Sequence, residues 1–282
     1  MLEPTQPEIA FSHFVQSFAS QPLDIFFQIV TMLGHPAVWL AVAAFLYWKG
    51  EEKKSFFIAA NILFAAAVVG ILKSVTGRPR PSPAEFMVIG AESDSNLSFP
   101  SGHTTTISAM LGYYWKTISR NIMVMWFAAI ALVMLSRVYL GQHYIGDVVV
   151  GSMFGIVIGN VTGFLESKYS GIKFNGRRVL EEAGLAIAII AAVVIAVFLS
   201  SLSFAGVLFG YFAGACTYKL LNMDSERPNG KRLAAKEAIG FGGAGAIALG
   251  TAMPAIGTIS YFALGLWISL IYPALWEKLA PK

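Results

Sequence analysis

Between Glu182 and Lys219, and again between Glu237 and Glu277, the chain carries no charged side chain. Backbone polar groups in lipid must be satisfied internally, so such stretches span a membrane as helices, at about 20 apolar residues per span. Charges cut the rest of the sequence into runs of similar size. Residues 25–48 are interrupted only by Gly34-His35-Pro36, and residues 55–72, 104–114, 121–136 and 148–165 follow. The long stretches 183–218 and 238–276 each suit two helices, with breaks at Ser200-Ser201-Leu202-Ser203 and from Pro254 to Gly257. The reading is an all-α integral membrane protein of about nine transmembrane helices. Only 13% of the residues are charged, against about 25% in soluble domains.

Three segments follow from this. Residues 1–23 are too polar to span, but Phe11, Phe14, Val15 and Phe18 share a helical face, which predicts a short interfacial helix. Residues 24–166 hold helices one to five and residues 167–282 a four-helix extension. The run 104–114 is short and rich in Thr and Ser, so it spans only with its polar groups against protein. The one cysteine, Cys216, excludes an internal disulfide and a multi-thiolate metal site; it reads as a small buried residue.

Threading nine helices puts every loop on one of two sides. Sixteen of the 20 Lys and Arg residues fall on one side, while the acidic residues divide nine to seven. The positive-inside bias makes that side cytoplasmic, with the amino terminus outside and the carboxyl terminus inside. The net charge of +4 is then a property of cytoplasmic loops and implies no nucleic acid. The exceptions are Lys73, Arg78, Arg80 and Arg137, in two clusters near helix ends on the outer side.

Those clusters belong to three outer segments: Lys73 to Pro81 after helix two, Pro100-Ser101-Gly102-His103 opening helix three, and Ser136 to Asp147 between helices four and five. Together they read as K-x6-R-P, P-S-G-H and S-R-x5-H-x3-D. A phosphate ester needs several cations around its non-bridging oxygens. Lys73, Arg80 and Arg137 can supply them, Arg as planar forked donors and Lys as a point charge. Ser101 stands where a helix N-cap would be, so its hydroxyl and the following N–H groups can face an anion. Gly102 allows close backbone approach. His103 is placed to protonate a leaving oxygen, and His143 is the remaining candidate nucleophile. Asp147, four residues on and predicted on the same helical face, can hold that imidazole in one tautomer.

In these three motifs the chain resembles the type 2 phosphatidic acid phosphatase (PAP2) superfamily. The resemblance covers residues 73–147. It implies that His143 attacks phosphorus to form a phosphohistidine, that His103 is the general acid, and that Asp147 orients His143. Lys73, Arg80, Ser101, Gly102 and Arg137 would bind phosphate. It also implies a phosphatase that needs no cofactor or metal, acting on a lipid phosphate or diphosphate of phosphatidate, polyprenyl or sphingoid type. The site would lie on the extracytoplasmic side of the cell membrane. The nine-span layout is similar to glucose-6-phosphatase and sphingosine-phosphate phosphatases, so soluble sugar phosphates stay open as substrates. A transporter fits poorly, because helices six to nine carry no charge at mid-span.

Several residues stand outside these motifs. Arg78 either touches ligand or flanks it. His13 and His35 read as packing or exposed groups. Glu85, Glu92 and Asp94, in the loop 82–99, say little about substrate. The extension 167–282 has no motif that selects a substrate; a groove wall or stabilising wrap is favoured over a dimer interface.

Overall fold

The computed structural model describes residues 2–90, 95–168, 202–221, 223, 227–252 and 257–279. The expected sixth helix, the first half of the 183–218 stretch, lies outside them, as do most of the Pro254–Gly257 break and both Glu92 and Asp94. Among the described residues the structure is helical, with no named strand. The helices are α1 (Gln6–Gln16), α2 (Gln21–Thr31), α3 (Pro36–Trp48), α4 (Glu52–Thr76), α5 (Gly102–Tyr114), α6 (Arg120–Tyr139), α7 (Ile145–Lys168), α8 (Leu202–Leu220), α9 (Gly230–Gly250), α10 (Gly257–Leu266) and α11 (Tyr272–Leu279). A π-helical turn, Trp267–Ile271, joins the last two.

Among the described residues four helical segments are long and apolar enough to cross a membrane: α4, α6, α7 and Ile259–Leu279. The run 25–48 is not one straight helix. A 3-10 turn, Met32–Gly34, ends α2, and α3 departs at 50° to it. Pro36 is the cause: it has no N–H for a continuing ladder and holds His35 in extended backbone, φ −74° and ψ 126°. Counted as one bent span, the pair raises the total to five.

Contacts divide the chain into two compact units. One comprises Met1–Val38 with Phe64–Lys168, the other Trp39–Leu63 with Tyr169–Lys282. In the second unit α8 packs tightly on α10. A Cβ at Gly210 would lie 2.1 Å from the Phe262 carbonyl, and one at Gly265 would lie 2.1 Å from that of Val207. Trp48 Nε1 donates to the Ile268 carbonyl at 2.8 Å, and Lys219 pairs with Glu52 at 2.5 Å. Cys216 corrects the sequence reading: it is exposed on α8 rather than buried.

In the first unit α5 is the central element. Every residue from Thr104 to Tyr113 is buried, so its hydroxyls do face protein, as the short run required. What covers them is α7, through a stripe of glycines four residues apart. Added Cβ atoms at Gly151, Gly155, Gly159 and Gly163 would sit 2.0–2.9 Å from the carbonyls of Ser101, Thr105, Ala109 and Tyr113. Small residues let two helix backbones meet where lipid gives no hydrophobic drive to associate. The stripe also fixes the register of the two helix starts: Ser101 N donates to the Asp147 carbonyl at 3.0 Å.

A substitution tests this packing. In Gly155→Ala the new methyl would stand 2.4 Å from Thr105 O, and the expected loss is about 1–3 kcal/mol. Gly242→Ala, where nothing lies within 4 Å, is the control and should melt within a degree or so of wild type, helix propensity favouring alanine. Equal melting of the two variants in detergent would refute the close-packed stripe.

Candidate functional site

Helix ends gather the motif residues. Lys73 lies in the last turn of α4, Ser101 to His103 open α5, Arg137 lies in the last turn of α6, and Asp147 lies in the first turn of α7. Because these helices alternate in direction, all four ends meet at one end of the first unit.

Ser101 is the N-cap of α5. Its Oγ accepts from Thr104 N at 3.5 Å and from Thr104 Oγ1 at 3.1 Å, which leaves its own proton to donate elsewhere. Asp147 serves two elements at once. Its Oδ2 accepts from Tyr144 N at 2.8 Å, the reach of a third-position carboxylate back to the cap of α7. The same oxygen lies 3.5 Å from His143 Nδ1.

His143 itself precedes α7, which begins at Ile145. The expectation that His143 and Asp147 share one helical face is therefore corrected. The imidazole sits in the α6–α7 loop, where its backbone N–H donates to the Arg137 carbonyl at 3.2 Å, and the cap geometry brings Asp147 to it. His143 is 2% exposed and Asp147 is wholly buried.

The other ring nitrogen, His143 Nε2, faces Arg80 Nη1 at 3.4 Å. A guanidinium only donates, which assigns Nε2 as the acceptor and the ring proton to Nδ1; Nδ1 lies 3.5 Å from Asp147 Oδ2 but makes no hydrogen bond among the described residues. Burial, and then the charges of Arg80, Arg137 and Lys73, holds the His143 pKa well below the ordinary histidine range. The ring is thus neutral near pH 7, with Nε2 toward Arg80 and the charges of Arg137 and Lys73 also acting on it.

Those cations are held mainly by neutral acceptors. Arg80 donates from Nε to the Ser95 carbonyl at 2.9 Å and from Nη1 to the Gln142 carbonyl at 2.8 Å. Lys73 Nζ donates to the Leu97 carbonyl. Arg137, 7% exposed, donates from Nη1 to Thr31 Oγ1 at 3.1 Å, and its Nε has no partner among the described residues. None of the three makes an ion pair with a carboxylate among the described residues. Gly102 is not demanded by packing, since an added Cβ would meet only Val69 Cγ1, at 3.9 Å.

Sequence reasoning missed four contributors. Gly34, in the bend between α2 and α3, comes so close to His103 that a Cβ would stand 2.7 Å from its carbonyl oxygen. His35 turns its ring edge-on to that of His103, centroids 5.4 Å apart, while its Nδ1 accepts from Ala37 N at 3.2 Å. Thr31 holds Arg137. Glu8 reaches Arg78 from α1, with 2.7 Å between Oε2 and Nη2. The break at Gly34-His35-Pro36 was a readable signal of a bend; nothing in the sequence pointed it at His103. His13 is half-exposed, stacked on Phe86 with ring centroids 4.6 Å apart.

Comparison with known proteins gives the family. The PAP2 superfamily matches residues 54–166, and the transmembrane extension of PAP2 superfamily phosphatases matches residues 202–282. The chain belongs to the PAP2 superfamily. It is similar to a lipid A 4'-phosphatase of Porphyromonas gingivalis, 28% identical over 49% of this chain and 64% of that one. It is also similar to lipid phosphate phosphatase delta of Arabidopsis thaliana, 28% identical over 51% of this chain and 38% of that one. The chain thus spans less than two thirds of these relatives' length. Among solved structures it is similar to a transmembrane PAP2-type phosphatidylglycerolphosphate phosphatase from Bacillus subtilis. That match has a TM-score of 0.49 and 21% identity, over 60% of this chain and 87% of that one.

Proposed function

We propose that this protein is a membrane phosphatase that hydrolyses phosphate monoesters or diphosphates of lipids through a phosphohistidine intermediate. The observation that carries the reading is the trio Lys73, Arg80 and Arg137, whose charges all act on His143, Arg80 at 3.4 Å from its Nε2, with no carboxylate paired to any of them among the described residues. Three such cations beside a neutral imidazole make a socket for a dianionic phosphoryl group.

His143 Nε2 attacks phosphorus as the bond to the leaving oxygen breaks. His103 gives its proton to that oxygen. The positive charge arising on His143 is offset by Asp147, whose Oδ2 lies 3.5 Å from its Nδ1. Ser101 Oγ, the N–H groups opening α5 and the three cations hold the phosphoryl oxygens while charge builds on them. Water then attacks the phosphorus of the phosphohistidine and gives a proton back to His103, the P–N bond breaks with its electron pair returning to His143 Nε2, and inorganic phosphate leaves.

Lipid substrates are favoured for two reasons. The site is assembled at the ends of apolar helices, and the named relatives act on lipid A and lipid phosphates. The reading includes nine spans, with residues 1–23 at the interface, 24–166 as the catalytic bundle and 167–282 as the extension. It places the site and amino terminus outside the cell membrane and the carboxyl terminus inside. The test is phosphate release by the detergent-purified protein from a panel of phosphatidate, a polyprenyl diphosphate, a sphingoid phosphate and glucose 6-phosphate. Turnover of glucose 6-phosphate alone would overturn the lipid assignment, and release from none would overturn the phosphatase reading. For orientation, Gly90→Cys should react with an impermeant maleimide on intact cells; labelling only after lysis would reverse the topology.

A further inference from the structure

Arg78 lies two residues before Arg80, yet the structure turns it away from the phosphate socket. It is 3% exposed, and its guanidinium bridges two carboxylates: Nη1 to Asp147 Oδ1 at 2.8 Å and Nη2 to Glu8 Oε2 at 2.7 Å. Its Cζ stands 5.0 Å from the centroid of the Tyr144 ring. Glu8 is equally committed. Besides Arg78, its Oε2 accepts from Thr5 N at 2.8 Å and Thr5 Oγ1 at 2.9 Å, and its Oε1 accepts from Gly146 N at 3.2 Å. One side chain of α1 is thereby tied to both the loop after α4 and the first turn of α7.

We propose that Glu8 and Arg78 are positioning residues that act on His143 through Asp147, so that the amino-terminal helix α1 is part of the catalytic device. The inference rests on the phosphatase reading for its kinetic test, though not for its spectroscopic one.

Asp147 has two oxygens with distinct duties. Arg78 occupies Oδ1, which fixes the carboxylate plane and leaves Oδ2 toward Tyr144 N and His143 Nδ1. Without Arg78 a wholly buried carboxylate would lose its counter-charge and its rotational lock. A lone Arg78, however, would cancel the negative potential that Asp147 offers the imidazole. Glu8 offsets that charge, so the sequence Glu8, Arg78, Asp147 carries one net negative charge to His143. Burial would by itself raise the Glu8 pKa, but its bonds to Arg78 and Thr5 outweigh that and hold it below the ordinary carboxylate value. Glu8 therefore stays charged near neutral pH.

The groups facing His143 are Lys73 from α4, Arg80 from the following loop, His103 from α5, Arg137 from α6 and Asp147 from α7, with Arg78 behind Asp147. Both variants proposed below leave all of the groups in contact with the ring in place, and their electrostatic effects have opposite signs. Arg78→Met removes a positive charge, which makes His143 easier to protonate, so the acid limb of kcat/KM moves to higher pH. Glu8→Gln leaves Arg78 uncompensated, which makes His143 harder to protonate, so the limb moves to lower pH. Each shift is up to about one pH unit, the scale of one charge several ångströms away in a partly buried site.

The experiment uses the full chain in detergent micelles with phosphatidate as substrate. Arg78→Met should lower kcat roughly ten- to a hundredfold, the range found for outer partners of ligating histidines, with KM changed less than threefold. Arg78→Lys, which keeps the charge but not the fork, should return the acid limb to its wild-type position while recovering only part of kcat. Side-chain nitrogen NMR gives the second readout. His143 should hold its proton on Nδ1 in wild type and in Glu8→Gln, and populate both tautomers in Arg78→Met. Acid limbs that move the same way in Arg78→Met and Glu8→Gln, or do not move, with an unchanged tautomer, would overturn the relay and leave Arg78 a structural pin. If wild type released no phosphate, the phosphatase reading would fail while the tautomer measurement still decided the relay. Should Arg78→Met not fold, Glu8→Gln, isosteric and on a short outer helix, decides it through its downward limb.

Discussion

His143→Ala is expected to abolish phosphate release, by a factor on the order of 10⁴ or more, as loss of a nucleophile does. The expectation rests on what stays behind. Asp147 keeps Arg78 Nη1 and Tyr144 N as donors, so removing the imidazole strands no buried carboxylate. The α6–α7 loop is held by backbone bonds from residues 142 and 143 to the Arg137 carbonyl, which alanine retains. The variant should therefore fold, melt within a few degrees of wild type, and still bind orthovanadate, because Lys73, Arg80 and Arg137 remain. Briefly quenched wild type should carry a phosphoryl group that is stable in base and lost in acid, as expected of a phosphoramidate, and His143→Ala should carry none. Residual turnover within tenfold of wild type would remove His143 from the nucleophile's role. So would a label that survives acid, since that chemistry belongs to a phosphoserine.

The sequence made the composition of the site legible for a physical reason. In a chain where apolar runs are the rule, cations clustered at helix ends stand out. Lys73, Arg80, Arg137, Ser101, His103 and Asp147 do lie in or beside the terminal turns of α4, α5, α6 and α7. Local rules also located the interruption at Gly34-His35-Pro36, though not the 50° bend it makes, and the cap at Ser101. What the pattern could not give were relations between distant segments. Arg78 and Arg80 are chemically identical and two residues apart; only the fold decides that one faces Asp147 and the other His143 Nε2. Glu8 is the third-position acid of a capping box with Thr5, while its bond to Arg78 spans seventy residues of sequence. The glycines at 151, 155, 159 and 163 are visible as a stripe, but a stripe does not name its partner helix. His143 stands two residues before α7 rather than on its face; the spacing misleads because a cap and a helical face both put positions four apart within reach of one another.

Arg137→Met should change stability and activity in opposite directions. Arg137 is 7% exposed, its Nη1 has a neutral hydroxyl, and among the described residues its Nε has no partner and no carboxylate pairs with it. A buried charge without a counter-ion costs several kcal/mol that a protein would not carry for its own stability. Methionine matches the unbranched stem and fills the same space without the charge. The empty protein should gain about 1–3 kcal/mol, which at this size raises the melting temperature by several degrees. Thr31, exposed to the loss, forfeits one hydrogen bond of about 1 kcal/mol and reduces the gain without reversing it. Activity should fall by about 10²–10³ in kcat/KM, as when one preorganised donor to a developing oxyanion is removed. The same logic makes the anion a folding partner: orthovanadate should raise the melting temperature of wild type in proportion to its occupancy and barely move that of Arg137→Met. A variant that melts lower than wild type would show that Arg137 is compensated in the folded protein and held for structure. A variant that melts higher but keeps its vanadate response and turnover would show that the buried charge serves something other than phosphate. Only a gain in stability joined to a loss of anion response fits a cation kept in the apolar end of a helix for its ligand.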